Sequence, residues 1–233
     1  MKHILAVPAL FLSLLAGATE FHVSPAGSDA AAGTASAPFK TINAAAQKAM
    51  PGDTVTVHAG VYREWVDPFY GGLDDSRRIL YRAAEGEIAE IKGSEPVSNW
   101  KRRKDGVWVA VIPNVSFGNF NPFMQLVEGD WFNSFGRDHH TAEVYLNGLS
   151  LYEVTGYEQV ASPEPVKSLR DPDGSVLVWY AEVDADNTTI YACFGDADPR
   201  KECVEVTFRP TCFMPQKLRL PAMDAPKATS IAT

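Results

Sequence analysis

Pro38-Phe39-Lys40-Thr41-Ile42-Asn43-Ala44-Ala45-Ala46-Gln47-Lys48-Ala49-Met50-Pro51-Gly52-Asp53-Thr54-Val55-Thr56-Val57-His58 decides how the fold is read, because the apolar period changes within it. Phe39, Ile42, Ala46 and Ala49 recur at helical spacing. Thr41 is placed to cap a helix and Pro51-Gly52 to stop it, so a helix is predicted over Thr41 to Met50. Its apolar stripe is narrow and built of small residues, which suits lying flat across the end of something. From Thr54 the period is two. Thr54-Val55-Thr56-Val57-His58 alternates strictly, as a strand with one buried face does.

Outward from this stretch the strands stay short. Phe21 to Ser24 precedes it, separated by a Gly/Ser/Ala loop. Val61 to Glu64, Ile79 to Ala83 and Ala89 to Gly93 follow, broken at Gly71-Gly72, Glu85-Gly86 and Gly93-Ser94. Strands of this length at a spacing of roughly 10–25 residues fit coils of a solenoid or a small sandwich, and periodicity leaves both open.

Near residue 97 the texture shifts. Trp100, Trp108, Phe117, Phe120, Phe123, Trp131, Phe132 and Phe135 crowd a stretch broken by Asn, Gly and Pro. Hairpin strands then follow at Glu143 to Leu146, at Ser150 to Val154 after the Asn147-Gly148 turn, and at Val176 to Val183 after Asp171-Pro172-Asp173-Gly174. Thr188 to Cys193 and Cys203 to Phe208 complete the set. Such a meander reads as an antiparallel β-sandwich. From Leu218 the pattern ends in a patternless tail.

A formal charge of -8 over 233 residues, with 21% charged and 45% hydrophobic content, describes a soluble chain long enough to bury a core. Its acidity argues against nucleic acid, which selects clustered Lys and Arg. The densest basic run, Lys101-Arg102-Arg103-Lys104, is broken at once by Asp105-Gly106 and reads as a solvated turn. Lys2 and His3 precede an apolar run from Ile4 to Leu15 and then Ala16-Gly17-Ala18. That is the pattern of a cleaved signal peptide ending at residue 18, too short to span a bilayer, and it implies a secreted or periplasmic protein. Export permits disulfides. Cys193 and Cys203 flank a polar loop and could face each other across a hairpin, leaving Cys212 over; three buried thiols are the alternative.

Val23-Ser24-Pro25, Gly27-Ser28-Asp29, Gly33-Thr34, Pro38 to Ile42, Pro51 to Val55 and Ala59 to Glu64 resemble the opening of extracellular right-handed parallel β-helix proteins. In that group a short helix caps the open end of the solenoid. A second block is more discriminating: Gly129 to Phe132, Gly136-Arg137-Asp138-His139-His140-Thr141 through Gly148, and Glu182 through Gly195. It resembles glycoside hydrolase family 120, which includes β-xylosidases whose β-helix is interrupted by a β-sandwich. The resemblance runs from about Phe21 to about Gln216. It implies an all-β fold: N-terminal coils of a right-handed parallel β-helix with a capping helix, plus an inserted antiparallel β-sandwich. The implied divisions are a signal peptide over 1–18, coils and cap over 19–96, junction and sandwich over 97–216, and a tail over 217–233 that reads as a truncation or frameshift product.

The implied activity is retaining hydrolysis of xylo-oligosaccharides, with two carboxyl groups about 5–5.5 Å apart across the scissile bond. In the family both come from coils after the sandwich, so no catalytic residue is assigned here and the chain alone is expected to be inactive. Asp67, Asp74, Asp75 and Glu143 read as turn or surface carboxylates. Trp131 is a candidate sugar platform, the alternative being a core tryptophan. His139 and His140 are candidate donors to sugar hydroxyls. If both lay on a strand they would point to opposite faces, which argues against a shared metal; otherwise each is a loop imidazole bonded to backbone. Arg137 and Asp138 could pair or orient them. Asp184-Ala185-Asp186-Asn187 opens like a calcium loop, but Thr189 and Gly195 stand where Gly and Glu are required, so a β-turn is predicted and neither metal nor cofactor is assigned. The expected partner is an oligosaccharide or xylan-type polysaccharide, with no nucleic acid and no membrane span; an oligomer is left open. The rivals are a non-catalytic carbohydrate-binding surface protein and a β-helix polysaccharide lyase.

Overall fold

The computed structural model of this chain describes residues 17–215. The leader expected over 1–18 rests on residues almost all outside that range, and the tail over 217–233 lies wholly outside it. Packing divides the described chain into two units, one running to Gly60 and resuming over Asp67–Ala89, the other comprising Val61–Val66 and Glu90–Met214. Strands dominate, with few and short helices, in keeping with the all-β class read from the sequence.

The chain opens with β1 (Glu20–Val23), α1 (Ile42–Ala46), β2 (Thr54–Val57), β3 (Gly60–Tyr62), β4 (Leu80–Ala83) and β5 (Ala89–Ile91). β1, β2 and β4 pair in that order as a parallel sheet, with Val23, Val57 and Ala83 in register. β3 and β5 form a two-stranded sheet. The helix starts where the sequence places it. Thr41 is extended, its hydroxyl accepts the Ala44 amide at 3.1 Å, and the Asp29 carboxylate accepts the Lys40 and Thr41 amides at 2.9 and 2.8 Å. It ends at Ala46 rather than Met50. The Asp53 carboxylate accepts the Met50 amide at 2.8 Å and the Thr19 amide at 2.7 Å, drawing the chain off the helix axis, and Gly52 turns it with φ of 99°. Phe39, Ile42, Ala46 and Ala49 are nonetheless all buried.

Strict alternation along β2 placed Thr56 outward, but it is buried. Its hydroxyl donates to Glu20 at 2.6 Å and accepts Arg82 Nε at 3.2 Å, so a polar ladder covers that face of the sheet. Asp74 and Asp75 pair locally with Arg77 and Arg78 on the exposed turn before β4.

The second unit contains β6 (Ser94–Pro96), β7 (Lys101–Arg102), β8 (Trp108–Pro113), β9 (Val144–Leu146), β10 (Leu149–Ser150), β11 (Tyr152–Glu153), α2 (Tyr157–Ala161), β12 (Val178–Val183), β13 (Asn187–Cys193) and β14 (Val204–Thr207). They form a four-stranded sheet in the order β10-β9-β14-β6 and a five-stranded sheet in the order β11-β12-β13-β8-β7. Every pairing is antiparallel except β11 with β12. Both sheets contribute to one core: Trp108, Trp179, Ile190 and Ala192 from the larger, Val144, Val204 and Val206 from the smaller. Trp100 meets Phe194 edge-on at 5.0 Å, and Phe123 meets Trp179 edge-on at 5.5 Å. The aromatic stretch is therefore divided, with Trp100, Trp108, Phe117 and Phe123 inside and Trp131 and Phe135 outside.

Asn147-Gly148 makes the turn expected of it, with φ of 51° and 84°, the left-handed pair that a two-residue hairpin requires. The strand predicted over Ser150 to Val154 is instead two. β10 pairs with β9 in the smaller sheet and β11 with β12 in the larger, and buried Leu151 makes the crossing. The same division separates the cysteines. Cys193 ends β13 in the larger sheet, whose partners are β12 and β8, while Cys203 precedes β14 in the smaller, so no hairpin sets them opposite and all three thiols are free. The basic run turns at Gly106, whose amide donates to Arg103 O at 3.1 Å. Asp184 Oδ1 accepts the Asp186 and Asn187 amides at 2.8 Å each, a side-chain-closed turn.

One tie in this unit spans almost its whole length. Glu205 on β14 is buried, with 3% of its side chain exposed, and meets both Arg63 and Lys92, the latter at 3.3 Å. Trp65 Nε1 donates to Met214 O at 2.8 Å, and the Val66 amide to Cys212 O at 2.9 Å.

Candidate functional site

The site is built on a loop whose neck is pinned and whose interior is not regular. Val127 N donates to His139 O at 2.7 Å and Thr141 N to Gln125 O at 2.8 Å, closing the segment between them. Inside, Gly129 and Gly136 have φ of 144° and 79°, and Phe135 is left-handed at 51°. The segment folds beside β11 and β12 and leaves a cleft of about 640 Å³, walled by Val127, Phe132, Arg137, His140, Glu153 and Tyr180. An adjoining recess of about 420 Å³ reaches Glu143 and Ser150.

Glu153 organises the cleft. Its Oε1 accepts from His140 Nδ1 at 2.6 Å and its Oε2 from the His140 amide at 3.1 Å. Its carbonyl accepts Arg137 Nη1 at 3.0 Å. A carboxylate on Nδ1 fixes the imidazole's orientation and tautomer, leaving Nε2 as the ring's acceptor. An oriented imidazole beside a guanidinium and an aromatic wall can bind hydroxyls of a polar ligand while packing its apolar face. Behind it, burial pushes the Glu143 carboxyl above the ordinary carboxylate range and the charge of nearby Glu153 adds to this, against the opposing hydrogen bond that Ser150 donates.

Trp131 is 75% exposed, which removes the core alternative. Its indole lies over Gly129, where an added Cβ would meet Nε1 at 2.5 Å, and meets Phe132 at 5.7 Å. Phe132 in turn meets the His139 ring edge-on at 5.3 Å. Trp131 thus stands outside the cleft and connects to it through Phe132. His139 and His140 line the same cleft rather than opposite faces, because only an isolated bridge from His140 to Leu126 interrupts the loop there and strand geometry does not apply. His139 Nε2 donates to Ser134 O at 3.1 Å, holding the loop; His140 takes the carboxylate. Arg137 goes to neither histidine but to β11. Glu143, read as a turn or surface carboxylate, is instead half-buried next to β9.

Glu153 was missed as a site residue. Its signal was a lone carboxylate between Tyr152 and Val154 in an apolar strand, and its partner lies 13 residues earlier in an irregular loop. Among the described residues, no three His, Cys, Asp or Glu side chains come together as a set of metal ligands.

Residues 97–206 match the family described as "Glycoside hydrolase 120, insertion domain", and residues 25–68 match one described as a protein of unknown function (DUF1565). The solved structure of XylC in complex with xylose is 47% identical, with a TM-score of 0.80, over 85% of this chain and 33% of that one. An uncharacterized Bacillus subtilis protein, YwoF, is 41% identical over 78 residues, 34% of this chain and 16% of that protein. Pectate lyase PEL9 of Emericella nidulans is 36% identical over 96 residues, 40% of this chain and 23% of that protein. The chain thus spans about a third of the solved XylC chain and less than a quarter of the curated relatives.

Proposed function

We propose, from the premise that this chain is glycoside hydrolase 120-like, that it supplies the sugar-binding wall of a secreted enzyme hydrolysing xylo-oligosaccharides with retention. The observation that carries the reading is the 47% identity to XylC bound to xylose across 85% of the chain. In this reading the parallel sheet β1-β2-β4 belongs to a right-handed β-helix capped by α1, and the two sheets sharing one core are an inserted β-sandwich. The cleft at His140 and Glu153 binds sugar hydroxyls, and Trp131 offers its exposed indole to an adjoining ring.

The chain of 233 residues binds without turnover. Both Glu153 oxygens are committed to His140, and Glu143 holds the Ser150 hydroxyl. Neither is disposed as a nucleophile or as an acid across an accessible bond, and binding alone does not supply that chemistry.

Calorimetric titration of the purified chain with xylobiose tests the reading. Saturable binding is expected, weakened about tenfold or more in His140→Ala, with no release of chromophore from an aryl β-xyloside. Absence of binding in a folded sample would overturn the assignment of the cleft. Turnover lost on mutating Glu143 or Glu153 would overturn the division of labour. The likeness to pectate lyase PEL9 supports a lyase as the second reading; an absorbance rise on polygalacturonate with calcium, absent on xylobiose, would favour it.

A further inference from the structure

A second cleft, of about 910 Å³, adjoins the first and shares Arg137, His139, Glu153 and Val154 with it. Its character differs. Phe135, Tyr152, Pro163, Pro165, Val166 and Leu169 supply apolar walls. Phe135 (85% exposed), Tyr152, Val166 and Leu169 all present their side chains to solvent. Clustered exposed apolar side chains beside a binding cleft mark a contact surface rather than the ordinary scatter of surface residues.

Several of the polar groups lining this cleft hold the protein's own backbone and loops. Ser175 Oγ donates to Pro172 O at 2.5 Å and accepts the Val166 amide at 2.8 Å, which holds the proline-rich loop in place. Gln159 Oε1 accepts both the amide and the hydroxyl of Thr155, at 2.9 and 2.8 Å. Arg137 donates to Glu153 O and His139 to Ser134 O. A ligand entering here meets apolar walls, while Ser175 Oγ, Gln159 Oε1 and Arg137 Nη1 are already bonded within the protein. Glu158 and Glu164, also on the lining, disfavour an anion.

We propose that this second cleft is a subsite for a neutral aromatic group carried on the sugar. The proposal rests on the sugar cleft described above, since Arg137, His139, Glu153 and Val154 line both spaces and a substituent on a sugar bound in the first would lie next to the second. Phe135 gives the subsite a stacking edge. Its backbone is left-handed, which a bulky residue rarely adopts, and its exposed side chain lines the cleft.

The test compares methyl β-xyloside with phenyl β-xyloside on the full chain by calorimetry. The phenyl compound is expected to bind about tenfold or more tightly. Leu169→Asp and Phe135→Asn are each expected to cancel that gain and leave methyl β-xyloside binding unchanged. Asn tolerates the left-handed backbone, so Phe135→Asn remains informative should Leu169→Asp fold poorly. Equal affinities for the two glycosides in the wild type would overturn the subsite while leaving the sugar cleft standing. Parallel loss of both ligands in variants with unchanged circular dichroism would overturn it too. Self-association of the wild type abolished by Leu169→Asp, with no aryl preference, would assign the surface to a second copy of this chain. Failure of both glycosides to bind would remove the subsite and the sugar cleft together.

Discussion

Two tryptophans separate packing from exposure at the scale of single residues. Trp179, 1% exposed at the centre of the shared core, should cost about 3–5 kcal/mol of stability on truncation to Ala. Trp131→Ala should leave the melting temperature nearly unchanged and weaken xylobiose binding; denaturant melts and calorimetry on the same samples separate the two effects. Glu143 gives a prediction with a definite pH sense. Its folded pKa is raised, so it opposes folding least when protonated, and its stabilising share is lost as pH rises through the folded value. Glu143→Gln should therefore stabilise the chain at neutral pH, with the gain vanishing below about pH 4.3, the ordinary Glu pKa. A gain that instead persists on acidification would point to a packing cause. Sequence reasoning found His139 and His140 as adjacent polar residues before a strand. It could not find Glu153, because its value depends on a strand crossing that brings it to His140, and one-dimensional spacing carries no such distance.

Elements were most legible where local chemistry fixes them. The Thr41 cap and the Asn147-Gly148 turn need only their own side chains and backbone, and both stand where the sequence puts them. The end of α1 was misjudged because Asp53, outside the periodic stretch, takes the Met50 amide. The strand from Ser150 to Val154 was misjudged for a related reason: alternation is continuous through it, while the sheet it serves changes at Leu151. Leu151 therefore has a double duty, and Leu151→Ala should cost about 2–5 kcal/mol. The loss should be seen by hydrogen exchange in β9 and β12 together; a loss confined to one sheet would show that the crossing does not couple them.

For the molecule as a whole, the all-β class was legible, since short alternating runs and turn signals recur along the chain. What spacing did not disclose is how distant segments are tied. Glu205 is the clearest case. Burial alone would raise its carboxyl, but the Arg63 guanidinium and Lys92 outweigh this and hold it below the usual range. Its stabilising share is thus present above the ordinary Glu pKa and lost as pH falls through the lower folded value. Glu205→Ala, which leaves Arg63 without a carboxylate and Lys92 with Glu90 alone, should cost about 3–5 kcal/mol at neutral pH, measured by urea unfolding; a cost under about 1 kcal/mol, the value of an exposed pair, would contradict the burial. The bond from Trp65 to Met214 joins residues 149 positions apart. On a ribosome adding about 5–20 residues per second, Trp65 waits on the order of ten seconds for its partner. The first segment of this unit is made early and joined late, so in a nascent chain Trp65 stands without Met214, and Arg63 without the Glu205 carboxylate, while everything between them is synthesised, open to chaperones.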